Sequence, residues 1–428
     1  MNYQTTTLGS GMRVIHLPSP SAVIYCGIAV KAGSRHEQEG QEGLAHFCEH
    51  LSFKGTARRS AVQIINAIEG VGGELNAFTN KEDTVYYCAI QKNHLRRAVD
   101  VLTDIVFNSD YPQHEIEKEC EVVCDEIESY EDSPSELIFD EFENILFAGH
   151  PLGHNILGTA ERVRSYTHDD VSRFSRQWYT PANSIFFVSG EIDFRQLVRM
   201  LEEPTPCPSL GEGSSQDSFG DKLTKQSPLP LGGPVGGGPV GGAASGGGLF
   251  ISHRGTHQAH VMMGGTAFAA SDSRRWALYL LNNILGGPGL NSRLNLSLRE
   301  RHGLVYTVDS SMVSYGDTGA WSVYFGCDPG DTDRCRRLVR RELDRLMEKP
   351  LTKTQLAAAK RQLQGQLAIA ADSREQFALD FAKNFLHTGK MRDLTDIMAH
   401  IDALTADDLQ QVAQQLFHPD RVTTLIYE

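Results

Sequence analysis

The sequence predicts a layered protein of helices and sheet, built as two copies of one domain. Three observations predict it. A Gly/Pro/Ser-rich stretch at 211–248, GEGSSQDSFGDKLTKQSPLPLGGPVGGGPVGGAASGGG, divides the chain into flanks of similar size. Such a stretch cannot bury enough apolar surface to offset its ordering entropy, so it reads as a linker. Strand-like and helix-like segments recur in the same order on both sides of it. The composition, 40% hydrophobic and 22% charged over 428 residues, suits a chain with real cores, and its length suits two or three domains at roughly 150 residues each.

In the first flank, SAVIYCGIAVKAGS (21–34) reads as a strand and LAHFCEHLSF (44–53) as a helix. DTVYYCAI (83–90) is again a strand, followed by the helices NHLRRAVDVLTDIVF (93–107) and HEIEKECEVVCDEIESY (114–130). In the second flank, QAHVMMGGTAFA (258–269) is strand-like and SRRWALYLLNNIL (273–285) helical. TGAWSVYFGCD (318–328) is a strand, and DRCRRLVRRELDRLM (333–347) and TKTQLAAAKRQLQGQLA (352–368) are helices. The division is therefore 1–210, a linker at 211–248, and 249–428.

Several classes are argued against. No run of 18 apolar residues is present, so membrane insertion is not expected. The start, MNYQTTTLGSGMRVIHL, lacks a basic region followed by an apolar one, which points to a cytoplasmic protein. Cys26, Cys48, Cys88, Cys120, Cys124, Cys207, Cys327 and Cys335 form no CxxC pair, and eight cysteines in this length make no disulfide scaffold. Cys120 and Cys124 read as apolar filler. A net charge of −14 argues against nucleic acid as a partner.

The stretch LAHFCEHLSF places His46, Glu49 and His50 among apolar residues. At i and i+4 on a helix, both imidazoles reach one ion, and Glu49 lies on the same side. Leu44, Phe47 and Leu51 fall on the opposite, packing face. Zinc takes three protein ligands and keeps one position for water, with Glu49 placed as general base. The bland alternative is a core or surface histidine pair. Against it, the second copy has no such triple, so the fold does not require one. A third ligand is sought in ECEVVCDEIESYED (119–132). Ile116, Cys120, Val123 and Ile127 form that helix's apolar stripe, and Glu117, Glu121 and Glu128 suit a solvated face. Spacing leaves Glu119, Asp125 and Glu126 as open alternatives.

Four blocks carry a resemblance: GLAHFCEHLSFKGT (43–56), GGELNAFTNKEDTVYY (72–87), ECEVVCDEIESYEDSP (119–134) and LGGPGLNSRLNLSLRERHGLVYTV (285–308). In this order they resemble the inverted, H-x-x-E-H zinc peptidases of the insulinase/pitrilysin family. The short subfamily that includes mitochondrial processing peptidase and its bacterial homologues is most similar. The resemblance implies an α+β fold of two similar α/β-roll domains, each a mainly antiparallel sheet covered by helices. It places zinc, one per chain, on His46, His50 and Glu126, the base on Glu49 and a supporting acid on Glu119. It puts Asn76, Ala77 and Phe78 beside a peptide that adds to an edge strand, and Arg299 and Tyr306 at the substrate carbonyl.

The implied reaction is attack of zinc-activated water on a peptide bond. The implied assembly is a homodimer enclosing a chamber, with Arg299 and Tyr306 serving the partner's zinc site, and peptides or unfolded segments as substrates. Two rivals are a non-catalytic peptide-binding subunit and a maturase for one precursor. His253, His257 and His260 lack an accompanying acid or cysteine and are not expected to hold a second metal. His150 and His154 read as loop residues.

Overall fold

The computed structural model describes residues 3–203, 247–391 and 393–428. The stretch assigned as a linker, apart from Gly247 and Gly248, lies outside the described residues, as does Cys207. Strands β1 (Gln4–Thr7), β2 (Arg13–Leu17), β3 (Val23–Val30), β4 (Glu74–Thr79), β5 (Thr84–Gln91) and β6 (Ser184–Ser189) form one sheet, ordered β1-β2-β6-β3-β5-β4. Strands β7 (Leu249–Ser252), β8 (Ala259–Ala267), β9 (Val305–Ser314), β10 (Gly319–Cys327) and β11 (Thr423–Tyr427) form a second, ordered β7-β11-β8-β10-β9. β2 runs parallel to β6 and β7 parallel to β11; the other pairings are antiparallel. Without β1, the two orders match strand for strand, signs included. The fold is the expected α+β pair of domains.

The central strands read as continuous apolar runs because both faces are covered. In β3, Ile24, Cys26, Ile28 and Val30 face one core, while Tyr25 and Ala29 face another. The first core is closed by helices of the same half, among them Leu44–Leu51, Leu95–Phe107 and His168–Trp178. The other face is closed from the opposite half. Ala378, Phe381, Ala382 and Phe385 of the helix Arg374–Thr388 pack on Ile15, Ala29, Val85 and Phe187. Reciprocally, Leu137, Ile138, Phe142 and Leu146 of the helix Pro134–Leu146 pack on Met262, Tyr324, Leu425 and Tyr427. Each half thus lends a helix to the other's sheet. A fully buried Phe or Leu contributes ~1.5–3 kcal/mol, so this exchange outweighs the half-exposed ion pair of Arg35 with Asp317 that also joins the halves. Among the described residues no helix is long and apolar enough to cross a membrane.

Candidate metal centre

The histidine helix, Leu44–Leu51, is fixed at its start. Gly43 caps it with φ of 91°, and a Cβ there would sit 2.5 Å from the Leu157 carbonyl oxygen, so only glycine fits. The Glu37 carboxylate takes the first-turn amides of Gly43 at 3.1 Å and Ala45 at 2.7 Å, matching the positive end of the helix. His154 Nε2 holds that carboxylate at 2.9 Å. Leu44, Phe47 and Leu51 are fully buried, as expected, and this anchors the opposite face with its three polar side chains. The acidic helix, Gln113–Glu131, buries Ile116, Cys120, Val123 and Ile127 and so presents its next row of side chains to the histidines.

Glu126 meets both imidazoles. Its Oε2 lies 3.3 Å from His50 Nε2 and 3.8 Å from His46 Nε2, and the two rings are 4.5 Å apart between centroids. One ligand atom from each of the three residues falls within 4.8 Å of the others, and among the described residues no other such group of three occurs. The alternatives that spacing left open separate here. Glu119 turns behind His50, with Oε1 3.0 Å from Nδ1 and Oε2 2.6 Å from Lys54 Nζ. Asp125 stays on the exposed face.

The electrostatics follow from burial and these partners. Burial opposes charge on His50, but the hydrogen bonds to Glu119 and Glu126 outweigh it and push its pKa up to about 9. Burial, then the charge of His50, drives His46 down to about 4. Burial pushes Glu119 up, yet the bonds from His50 and Lys54 prevail and hold it below the usual carboxylate range. Glu126 is lowered first by its bond from His50. Burial raises Glu49 although Thr79 Oγ1 donates to its Oε2 at 2.8 Å.

Two imidazoles and a carboxylate are a zinc donor set. The outer carboxylate of Glu119 on His50 Nδ1 is the support that orients a ligating imidazole. His46 Nδ1 is buried with no hydrogen-bond partner among the described residues. The residues present suit the ion.

β4 pairs only with β5, leaving its outer edge unpaired among the described residues. Ala77 packs toward the histidine-helix core and Phe78 toward the helix Arg374–Thr388, so the two side chains lie on opposite faces; Asn76 is exposed. Arg299 sits in a π-helical turn, Asn295–Glu300, with an ion pair to Glu300 at 3.9 Å. Tyr306, near the start of β9, is 83% exposed. Neither bonds to the histidine cluster of its own chain. Lys54, Glu37 and Thr79 are site-supporting residues that sequence reasoning missed. Lys54 and Thr79 lie within quoted blocks, but no periodicity marks them. Three of the other histidines have ordinary partners: His260 with the Tyr324 hydroxyl at 2.9 Å, His253 with Glu428 at 3.2 Å and His150 with Asp317 at 3.3 Å.

Two duplicated α+β domains, with an inverted His-x-x-Glu-His helix facing a glutamate from a neighbouring helix, define an M16-type architecture. The model of the insulinase family (peptidase family M16) matches residues 13–160, and that of the peptidase M16 inactive domain matches 165–363. An uncharacterized zinc protease of Streptomyces coelicolor is 34% identical over 96% of this chain and 86% of its own length. One of Bacillus subtilis is 30% identical over 98% of this chain and 97% of its own. The chain belongs to the insulinase family, peptidase family M16. A crystal structure of a protease from Helicobacter pylori shares the fold with a TM-score of 0.86 at 22% identity, covering 100% of this chain and 99% of that one.

Proposed function

We propose that the chain is a zinc-dependent endopeptidase, with one zinc per chain on His46, His50 and Glu126. The convergence of these three side chains beside a buried Glu49 carries the reading. When bound, zinc supplies Lewis acidity, polarising a peptide carbonyl and lowering the pKa of water. Glu49 takes the proton of the attacking water and passes it to the leaving amine. Its burial, which raises its pKa, suits a group that must both accept and return a proton. Glu119 keeps the His50 ring in place from behind. The free edge of β4, at Asn76, Ala77 and Phe78, offers backbone N–H and C=O groups to an extended peptide.

Arg299 and Tyr306 act on the substrate carbonyl at the zinc site of a second copy, in a homodimer that encloses the peptide. Their exposure, and their lack of contact with their own cluster, support that assignment. Substrates are peptides or unfolded segments, and a net charge of −14 favours no nucleic-acid partner.

The test is cleavage of a quenched basic peptide by wild type and Glu49→Gln, with metal measured on both. About one zinc per chain is expected in each, with cleavage falling about a hundred- to ten-thousandfold in the variant. Mixing Glu49→Gln with Arg299→Ala chains should restore part of the activity if the sites are shared. A wild type without metal, or a Glu49→Gln chain that cuts equally well, overturns the reading.

A further inference from the structure

Glu49 has one carboxylate oxygen tied and one free. Oε2 accepts from Thr79 Oγ1 at 2.8 Å, and Oε1 has no hydrogen-bond partner among the described residues. Thr79 is the last residue of β4, the strand with the open edge. Its hydroxyl carries one proton. The nearby Thr84 hydroxyl lies 3.4 Å away and donates its own proton to the Ala32 carbonyl at 2.9 Å. The shorter bond to a carboxylate is the stronger choice for the Thr79 proton.

The hydroxyl is also held firmly in place. Asn80 and Asp83 close the turn after it through Asn80 N to Asp83 O at 2.8 Å and Asn80 Nδ2 to Asp83 Oδ1 at 2.7 Å. The amides of Ser34 and Arg35 bind the carbonyls of Asn80 and Lys81 at 3.2 and 2.8 Å. His387, from the other half of the chain, anchors Asp83 at 2.8 Å. Five hydrogen bonds therefore fix the end of β4 at the point where it touches Glu49.

We propose that Thr79 is a positioning residue for Glu49: its hydroxyl holds Oε2, so that Oε1 is the oxygen that receives the proton. The role rests on the peptidase reading above. It makes one element do two jobs, since the strand that seats the peptide backbone also orients the base.

The test compares Thr79→Val, which keeps the shape and the β-branch, with Thr79→Ser, which keeps the hydroxyl. On a quenched peptide, the valine variant should lose about ten- to a hundredfold in kcat, the scale of a hydrogen bond to a charged group, with KM within about twofold. Zinc should stay at one per chain. Thr79→Ser should return kcat to within about threefold of wild type, because the lost bond is remade. Adding Thr79→Val to Glu49→Gln should cause no further loss. If the valine chain does not fold, Thr79→Ala makes the same comparison. An unchanged kcat, a change in KM alone, or a serine variant as impaired as valine overturns this role while an active wild type leaves the peptidase reading standing. A zinc-loaded wild type that cuts nothing overturns both.

Discussion

The two domains share a strand order and the helices between the strands, yet one presents a histidine–carboxylate cluster where the other presents a mainly apolar cavity. Register locates the counterpart. The β4–β5 turn is flanked by the pair Thr79 and Thr84, and the β9–β10 turn by Ser314 and Gly319, so Ser314 stands where Thr79 does. In chain order, the helix Arg275–Gly286 replaces the histidine helix and Lys353–Ala370 replaces the acidic helix. Between them lies a cavity of about 450 Å³, lined mainly by apolar side chains such as Trp276, Met312 and Phe377, with Arg275, Asp380 and Asn384 also on its wall. One backbone therefore tolerates either filling. Burying His46, Glu49 and Glu119 costs free energy that an apolar filling does not, and residues kept against that cost mark the chemistry.

The largest expected effect tests whether metal binding belongs to one domain alone. In the metal-free chain His50 titrates near 9 and His46 near 4. Between those values His50 is protonated and His46 is neutral, so zinc displaces one proton. Affinity should rise about tenfold per pH unit below about pH 9 and then level off, or ~5,000-fold from pH 5 to 9. Chelator competition across that range gives the slope, and the stoichiometry should be one. The fold linkage has the opposite sign. A His whose pKa is raised by folding stabilises fully below its unfolded value of about 6.5, and that contribution fades as pH climbs through about 9. A second zinc per chain, or a flat affinity profile, breaks the contrast between the domains.

Next in size is the exchanged pair of helices, where the domains are alike. Phe142→Ala and Phe385→Ala should each destabilise by ~3–5 kcal/mol, the range for truncating a buried aromatic. Each removes packing from the sheet of the opposite half, so both should lower one shared unfolding transition, followed by denaturant titration with circular dichroism. Two separate transitions, with only one moved by each variant, would mean that the halves unfold independently.

The helix exchange was not legible in the sequence, and the reason is physical. Ala378, Phe381 and Phe385 announce an apolar face, but nothing in their spacing says which sheet covers it. The central strands were legible because β3, β5, β8 and β10 are apolar on both faces. The parallel pairing of β2 with β6 was not, since it joins residues about 170 positions apart. At the site, the i, i+4 histidines and Glu49 could be read from spacing alone. Choosing Glu126 over Glu119 required either resemblance or coordinates, because both carboxylates lie on neighbouring rows of one helix. Thr79 gave no signal: its role comes from where an edge strand ends, a tertiary fact. Arg299 and Tyr306 rest on resemblance, and one chain alone does not bring them to the cluster.

The smallest expected effect is the sharpest test of the pairing between Thr79 and Ser314. Both hydroxyls end an edge strand beside the same turn of the fold. Thr79 Oγ1 has a charged acceptor, whereas Ser314 Oγ is buried with no partner among the described residues. A buried hydroxyl without a hydrogen bond is a liability, so Ser314→Ala should leave stability unchanged or raise it by up to ~1 kcal/mol. Cleavage should stay within about twofold of wild type, because no proton donor is lost near the base. A thermal melt and the peptide assay check both. If Ser314→Ala instead lowers kcat as Thr79→Val is expected to, then the second cavity takes part in the reaction, and the contrast between a chemical domain and its apolar twin does not hold.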